Sequence, residues 1–330
     1  MTNEKTTTLH TLEIQSRDFE IPDGASFLFG QTDSEERGRV SSGWLKARDP
    51  ALFIAIEISE QNEDSFLIKL PASRDLEVSL HDVAEIRTVL NGLSSPLYLD
   101  ITSLSHHTWA PLVSAAIEES IELFVVYIEP EEYRKSNETE DMFIDLSERT
   151  GGIRPLPGFA NLAPKVRDAG FFVPILGFEG ARFANIFQSI EADFERTYPI
   201  IGVPGFRPEY SFYSFDGNKS TLGRNHLYRQ VQFAKANCPF SVFHVLDMVH
   251  EWSDYTHLRV APIGTKPHAL GSVLFAISRG VRVELIYDHP VRAKRSTIGE
   301  GRLCIYDVTT FTRTRAFVPP YECNAGYHES

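Results

Sequence analysis

Apolar and polar positions follow two periods along this chain. Short apolar runs of strand length are bounded by turn residues, and between many of them apolar residues recur every third or fourth position. Ala25 to Gly30 and Ala51 to Ser59 read as short strands. The polar stretch Glu60-Gln61-Asn62-Glu63-Asp64 then turns the chain into Ser65–Leu70, and the two flanking runs predict a hairpin. From Leu80 to Leu93 the spacing of Val83, Ile86, Val89, Leu90 and Leu93 predicts a helix. Ser79, His81 and Asp82 supply its polar entry, and Gly92 its stop.

From Leu97 onward strand and helix alternate. Strands are predicted at Leu97–Ile101, Leu123–Ile128, Phe171–Leu176, Ile200–Val203, Ser241–Leu246, Leu258–Ile263 and Val281–Tyr287. Helices are predicted from His106 to about Ser120, at Ala181–Phe194, near Asn225–Ala236, in a short stretch ending at Trp252, and at Pro267–Ser278. Gly301 to Val308 returns to strand-like alternation. The loop from Glu129 to Pro164 is long for a compact domain, so part of it is expected to be an ordered insertion or lid.

This alternation predicts an α/β protein of Rossmann-like build, with a mainly parallel, doubly wound sheet and an N-terminal β-rich extension. The expected division is a flexible tail over 1–24, a β-rich segment over 25–95 packed on the main domain, and a Rossmann-like domain over 96–330. Leu97–Ile101 and Leu258–Ile263 are expected in one sheet with Leu123–Ile128, Phe171–Leu176, Ile200–Val203 and Val281–Tyr287. Their C-terminal ends would then share one edge, where ligands bind in sheets of this class.

Composition narrows the classes. Hydrophobic content of 42% beside 23% charged residues argues against global disorder. Cys238, Cys304 and Cys323 show no CxxC spacing, which favours a reducing compartment and no disulfide framework. No HExxH or HxH is present, so no metal is expected. The polar stretch from Met1 to Asp18 does not read as a signal peptide, and no apolar run reaches membrane-spanning length. A cytoplasmic location is the expectation. The net charge of −13 speaks against general nucleic-acid binding. From Arg259 to Arg315, however, ten Lys/Arg stand against four Asp/Glu, and such a basic stretch could hold an anion.

Four predicted strand ends carry suggestive loops: Asp100-Ile-Thr-Ser103, Gly177-Phe-Glu-Gly180, Pro204-Gly-Phe-Arg207 and Gly264-Thr-Lys-Pro267. The last is the sharpest. Gly264 allows close backbone approach, Thr265 can cap the helix, and Pro267 suits its first turn. Lys266 would add a full charge to the helix dipole and its free N–H groups. Neither a Walker A motif nor a GxGxxG is present. Asp100 and Thr102 end a predicted strand, where a carboxylate could bind a ribose hydroxyl or orient a metal, or serve only as a helix cap or turn residue. Glu179 could touch a ligand and Arg207 could clamp phosphate, while Arg295 lies in a basic loop that could close over an anion.

Those residues carry a family resemblance. Gly264-Thr265-Lys266 is similar to the end, and Asp100-Ile101-Thr102 to the beginning, of the Asp/Asn-x-Thr-Gly-Gly-Thr-Lys turn of CRISPR-associated Rossmann fold (CARF) sensors. The sequence thus resembles CARF domains and their fused, SAVED-like relatives in prokaryotic antiphage signalling. The motif is split between two strands here, and its double glycine is missing. The resemblance covers residues 97 to 290 in architecture. It implies an oligonucleotide second messenger, with Thr265 and Lys266 at the phosphates, and an output delivered by a protein partner or a homo-oligomer.

Three readings stand open: a nucleotide-binding sensor or accessory subunit, an enzyme on a phosphorylated or nucleotide substrate using Asp100, Glu179 and Lys266, and an interaction subunit of a defence complex with no ligand. No cofactor is implied.

Overall fold

The computed structural model describes residues 6–8, 10–32, 37–38, 52–69, 74–133, 146–160, 170–292 and 297–318. Arg295 lies outside the described residues. The first stretch holds strands β1 (Thr6–Thr8), β2 (Thr11–Gln15), β3 (Ser26–Gly30), β4 (Ile54–Glu60), β5 (Ser65–Lys69) and β6 (Leu76–Ser79). Helix α1 (Val83–Asn91), strand β7 (Leu97–Asp100), helix α2 (His106–Glu118) and strand β8 (Leu123–Ile128) complete it. Asp82 caps α1 by accepting from the Glu85 N–H at 3.0 Å.

Short strands β9 (Glu132–Tyr133), β10 (Ser147–Thr150) and β11 (Arg154–Pro155) lead into the second stretch. There β12 (Phe171–Leu176), α3 (Gly180–Ser189), β13 (Ile200–Gly202), α4 (Pro208–Gly223) and β14 (Gln232–Ala234) alternate. They continue with α5 (Pro239–Trp252), β15 (Leu258–Pro262), α6 (Lys266–Arg279) and β16 (Val283–Tyr287). The chain closes with β17 (Pro290–Arg292), β18 (Thr297–Ile298), β19 (Arg302–Asp307) and α7 (Val308–Thr312).

These strands form two major sheets, not the single one expected. The first runs β1-β2-β19-β8-β7-β3-β4-β5-β6, with β8, β7, β3 and β4 parallel and the flanking strands antiparallel. The second runs β11-β16-β15-β12-β13-β14 and is parallel except for β11. Leu97–Asp100 and Leu258–Pro262 therefore lie in different sheets. The cause of the misreading is physical: strands such as β7 and β16 are buried along their whole length, and an apolar run records burial on both faces without naming its neighbour.

Residues 6–8 and 11–15, assigned to a tail, are strands, and the 25–95 segment shares its sheet with β7 and β8. The helix expected near Asn225–Ala236 lies earlier, as α4, and the strand expected at Ser241–Leu246 lies within α5. In α5, Phe240, Phe243 and Leu246 are buried at helical spacing, and Pro239 occupies the first turn.

One apolar cluster runs through both units, from Trp109 on α2 to Phe275 on α6. A second covers the other face of the first sheet with Phe19, Phe27, Phe29 and Tyr98. Helices α5 and α6 pack closely at Gly271, where an added Cβ would collide with the carbonyl oxygen of Pro239. Among the described residues no helix is long and apolar enough to cross a membrane.

Candidate functional site

The order of the second sheet reverses at β12, whose neighbours are β13 on one side and β15 on the other. The turns leaving β12 and β15 run back to back at that point. A Cβ on Gly177 would sit 2.9 Å from the Ile263 carbonyl oxygen, and one on Gly264 would sit 3.1 Å from that of Leu176. A side chain at Gly177 would push the two turns apart, and one at Gly264 would crowd them. Thr265 caps α6, accepting from the His268 N–H at 3.3 Å and donating to the Ala236 carbonyl at 2.7 Å. Asn218 on α4 donates to the Gly177 carbonyl at 2.8 Å and fixes the other turn.

A cleft opens over these turns. One lobe is walled by aromatic rings: Tyr133, Phe178 and Tyr210 meet pairwise edge-to-face, with centroids 5.1, 5.4 and 5.6 Å apart. The other lobe lies toward the first unit and includes Arg37, Tyr127, Ser147, Lys266 and Thr297. Gly264, Thr265, Glu179 and Arg182 line both, so the lobes form one cleft across the joint.

Lys266 does not project into solvent as a residue at a helix start commonly does. It is 7% exposed, and its ammonium donates to the carbonyls of Ile101, Thr102 and Leu104 at 2.5, 2.6 and 2.6 Å. An ammonium has three N–H donors, so each is engaged. Asp100 and Thr102, both fully buried, shape that loop from below. The Asp100 carboxylate accepts from the Thr102 N–H at 2.8 Å, and the Thr102 hydroxyl oxygen accepts from the Ile128 N–H at 2.9 Å. The structure thus brings Asp100, Thr102 and Lys266 together at the C-terminal edge of β7, as a tie between the two units. Arg37 treats β8 similarly, donating to Tyr127 Oη at 2.8 Å and to the Ile128 carbonyl at 3.0 Å.

Glu179 stands at the entrance of α3. Its carboxylate accepts from the N–H groups of Leu146 and Ser147 at 3.0 and 2.9 Å and from Ser147 Oγ at 3.1 Å, with Arg182 3.5 Å away. Arg182 forms a two-point pair with the buried Asp288, at 2.8 and 2.6 Å, and lies over the Tyr287 ring. Burial opposes the charge of Arg182, but the Asp288 hydrogen bonds and the adjacent Tyr287 and Glu179 outweigh it, holding its pKa above the ordinary value. Arg207 lies outside the cleft, 3.2 Å from Glu132 and 3.8 Å from Glu209.

Sequence reasoning passed over Arg37, Asp288, Tyr133, Tyr210 and Thr297. Asp288 did leave a signal, since it follows an apolar strand directly, as Asp100 does. The aromatic residues left none, because Tyr133 and Phe178 are far apart along the chain. Among the described residues no group of three or more His, Cys, Asp or Glu side chains could hold a metal ion. Compared with known proteins, the sequence matches no family model and no curated protein.

Proposed function

We propose that the chain binds an anionic, nucleotide-like ligand in this cleft, with the charged end toward Gly264 and Thr265 and the base against Phe178 and Tyr133. The observation that carries the reading is the union of two unlike ends in one cleft. An aromatic wall offers stacking, and a glycine-lined turn at two helix N-termini offers N–H groups and positive dipole ends. The order β14-β13-β12-β15-β16, reversing at β12, supports a Rossmann-like second unit, and the cleft lies at that reversal.

Sensing is favoured over turnover. Asp100, Glu179 and Lys266, the groups that chemistry would use, each already hold backbone groups of neighbouring loops. The chain would thus act as a cytoplasmic sensor or accessory subunit, in line with the CARF resemblance, passing its signal to a partner protein or a second copy.

Calorimetry of the full chain against mononucleotides, cyclic and linear oligonucleotides and sugar phosphates tests this. A nucleotide should bind, and Phe178→Ala should weaken it by about tenfold to a hundredfold, as lost base stacking costs about 1–3 kcal/mol. Equal affinity in the variant would move the base elsewhere. Failure of every anion to bind would favour the interaction-subunit reading.

A further inference from the structure

Glu179 is an acid held as an anionic ligand is held. Its carboxylate sits in a nest of two successive backbone N–H groups, Leu146 and Ser147, joined by the Ser147 hydroxyl and the Arg182 guanidinium. Among the described residues that line the lobe around it, Arg37, Arg182 and Lys266 are basic and Glu179 is acidic, with Asp288 buried behind Arg182. The same lobe holds a polar group still unspent. Thr297 is 2% exposed, lines the lobe, and its hydroxyl has no hydrogen-bond partner among the described residues. A buried hydroxyl is costly to leave unsatisfied and marks a place where an acceptor belongs.

We infer that this nest is the phosphate subsite of the cleft, and that Glu179 is an internal occupant which the phosphate displaces. The inference rests on the proposed ligand class and locates its charged group. A phosphate offers three terminal oxygens, which match the paired N–H groups, the Ser147 and Thr297 hydroxyls and the Arg182 Nη1, the end of that guanidinium not held by Asp288, better than the two oxygens of a carboxylate. Displacement releases Glu179, which otherwise ties residues 146–147 to the entrance of α3. The subsite is therefore self-inhibited, and its affinity reports the cost of moving one acid.

The probe is inorganic pyrophosphate, titrated by calorimetry into the full-length wild type and into Glu179→Gln, which keeps the side-chain shape and removes its charge. Glu179→Gln should bind pyrophosphate at least about tenfold more tightly than wild type, because the competing like charge is gone. Adding Ser147→Ala to that variant should lower affinity again by about fivefold or more, through loss of one donor. Thr297→Val in the otherwise wild-type chain should also weaken pyrophosphate binding without lowering the melting temperature, and it serves if Glu179→Gln does not fold. Equal or weaker binding by Glu179→Gln overturns the displacement. Adenosine, titrated in parallel, separates the two readings. If neither adenosine nor any nucleotide binds while Glu179→Gln gains pyrophosphate affinity, the phosphate subsite stands and the nucleotide reading falls. If nucleotides bind wild type and Glu179→Gln alike and pyrophosphate binds neither, the nucleotide reading stands and the subsite falls.

Discussion

Lys266 is the residue whose position was most legible and whose task was least so. Gly264, Thr265 and Pro267 mark a capped helix start in any reading. That the lysine turns back onto carbonyls more than 160 positions earlier has no local signature, because its acceptors are backbone atoms, which every residue carries. The consequence is energetic. Lys266→Met keeps the apolar stem and strands the Ile101, Thr102 and Leu104 carbonyls, so unfolding should cost about 3 kcal/mol less. Urea denaturation monitored by tryptophan fluorescence checks this; a loss below about 0.5 kcal/mol, as for an ordinary surface lysine, would show that the tie is not formed. Asp100 and Thr102 stand beside Lys266 and hold the same loop through backbone groups.

Helix α5 shows why an element can be misread while its neighbours are not. Ser241-Val-Phe-His-Val-Leu246 is rich in β-branched and aromatic residues, which favour strands, and only the wider spacing of Phe240, Phe243, Leu246 and Val249 speaks for a helix. Tertiary packing decides, because that face meets α6. The same contact makes Gly271 sensitive. Gly271→Ala gains about 1 kcal/mol of helix propensity and meets the Pro239 carbonyl and Val242, so a net loss of about 2 kcal/mol is expected. Gly223, at the end of α4, has no atom within 4 Å of an added Cβ and a helical backbone. Gly223→Ala should stabilise by about 0.4–1 kcal/mol. Thermal melts of both variants should move in opposite directions; shifts of the same sign would contradict the packing at α5 and α6.

The molecule as a whole should respond to acid. Burial pushes His250, His268 and His289 down to about 4, so the folded state keeps them neutral while the unfolded chain titrates them near 6.5. Between those values the unfolded chain binds more protons, and stability rises with pH. Glu129, pushed up to about 7 by burial, acts in the opposite sense between 4.5 and 7. These three histidines, joined by His107, which burial also holds below its ordinary value, outnumber the one acid by two protons or more, so stability should fall by about 2 to 3 kcal/mol or more per pH unit below pH 6. Urea midpoints from pH 7.5 to 5.0 measure the slope, and His268→Gln should remove about one proton from it. A flat profile would mean that these rings reach water. The histidines were legible in sequence only as dispersed residues, since burial belongs to the assembled core. The two-sheet plan was hidden for a related reason: strand patterns state how buried a segment is, while membership of a sheet is settled by which carbonyl edge it meets.

The pairing of β2 with β19 joins Thr11–Gln15 to Arg302–Asp307, nearly the length of the chain apart. Everything between β10 and β17 enters and leaves through one antiparallel pair, so the second sheet is carried as an insert within the first. During vectorial synthesis the insert can close as soon as β16 has emerged, whereas the host sheet must wait with one side of β8 unpaired until the last strand arrives. The most aggregation-exposed edge of the nascent chain is therefore β8, made early, and a chain arrested after β16 has emerged but before β19 has would leave a finished second unit hanging from an open first one.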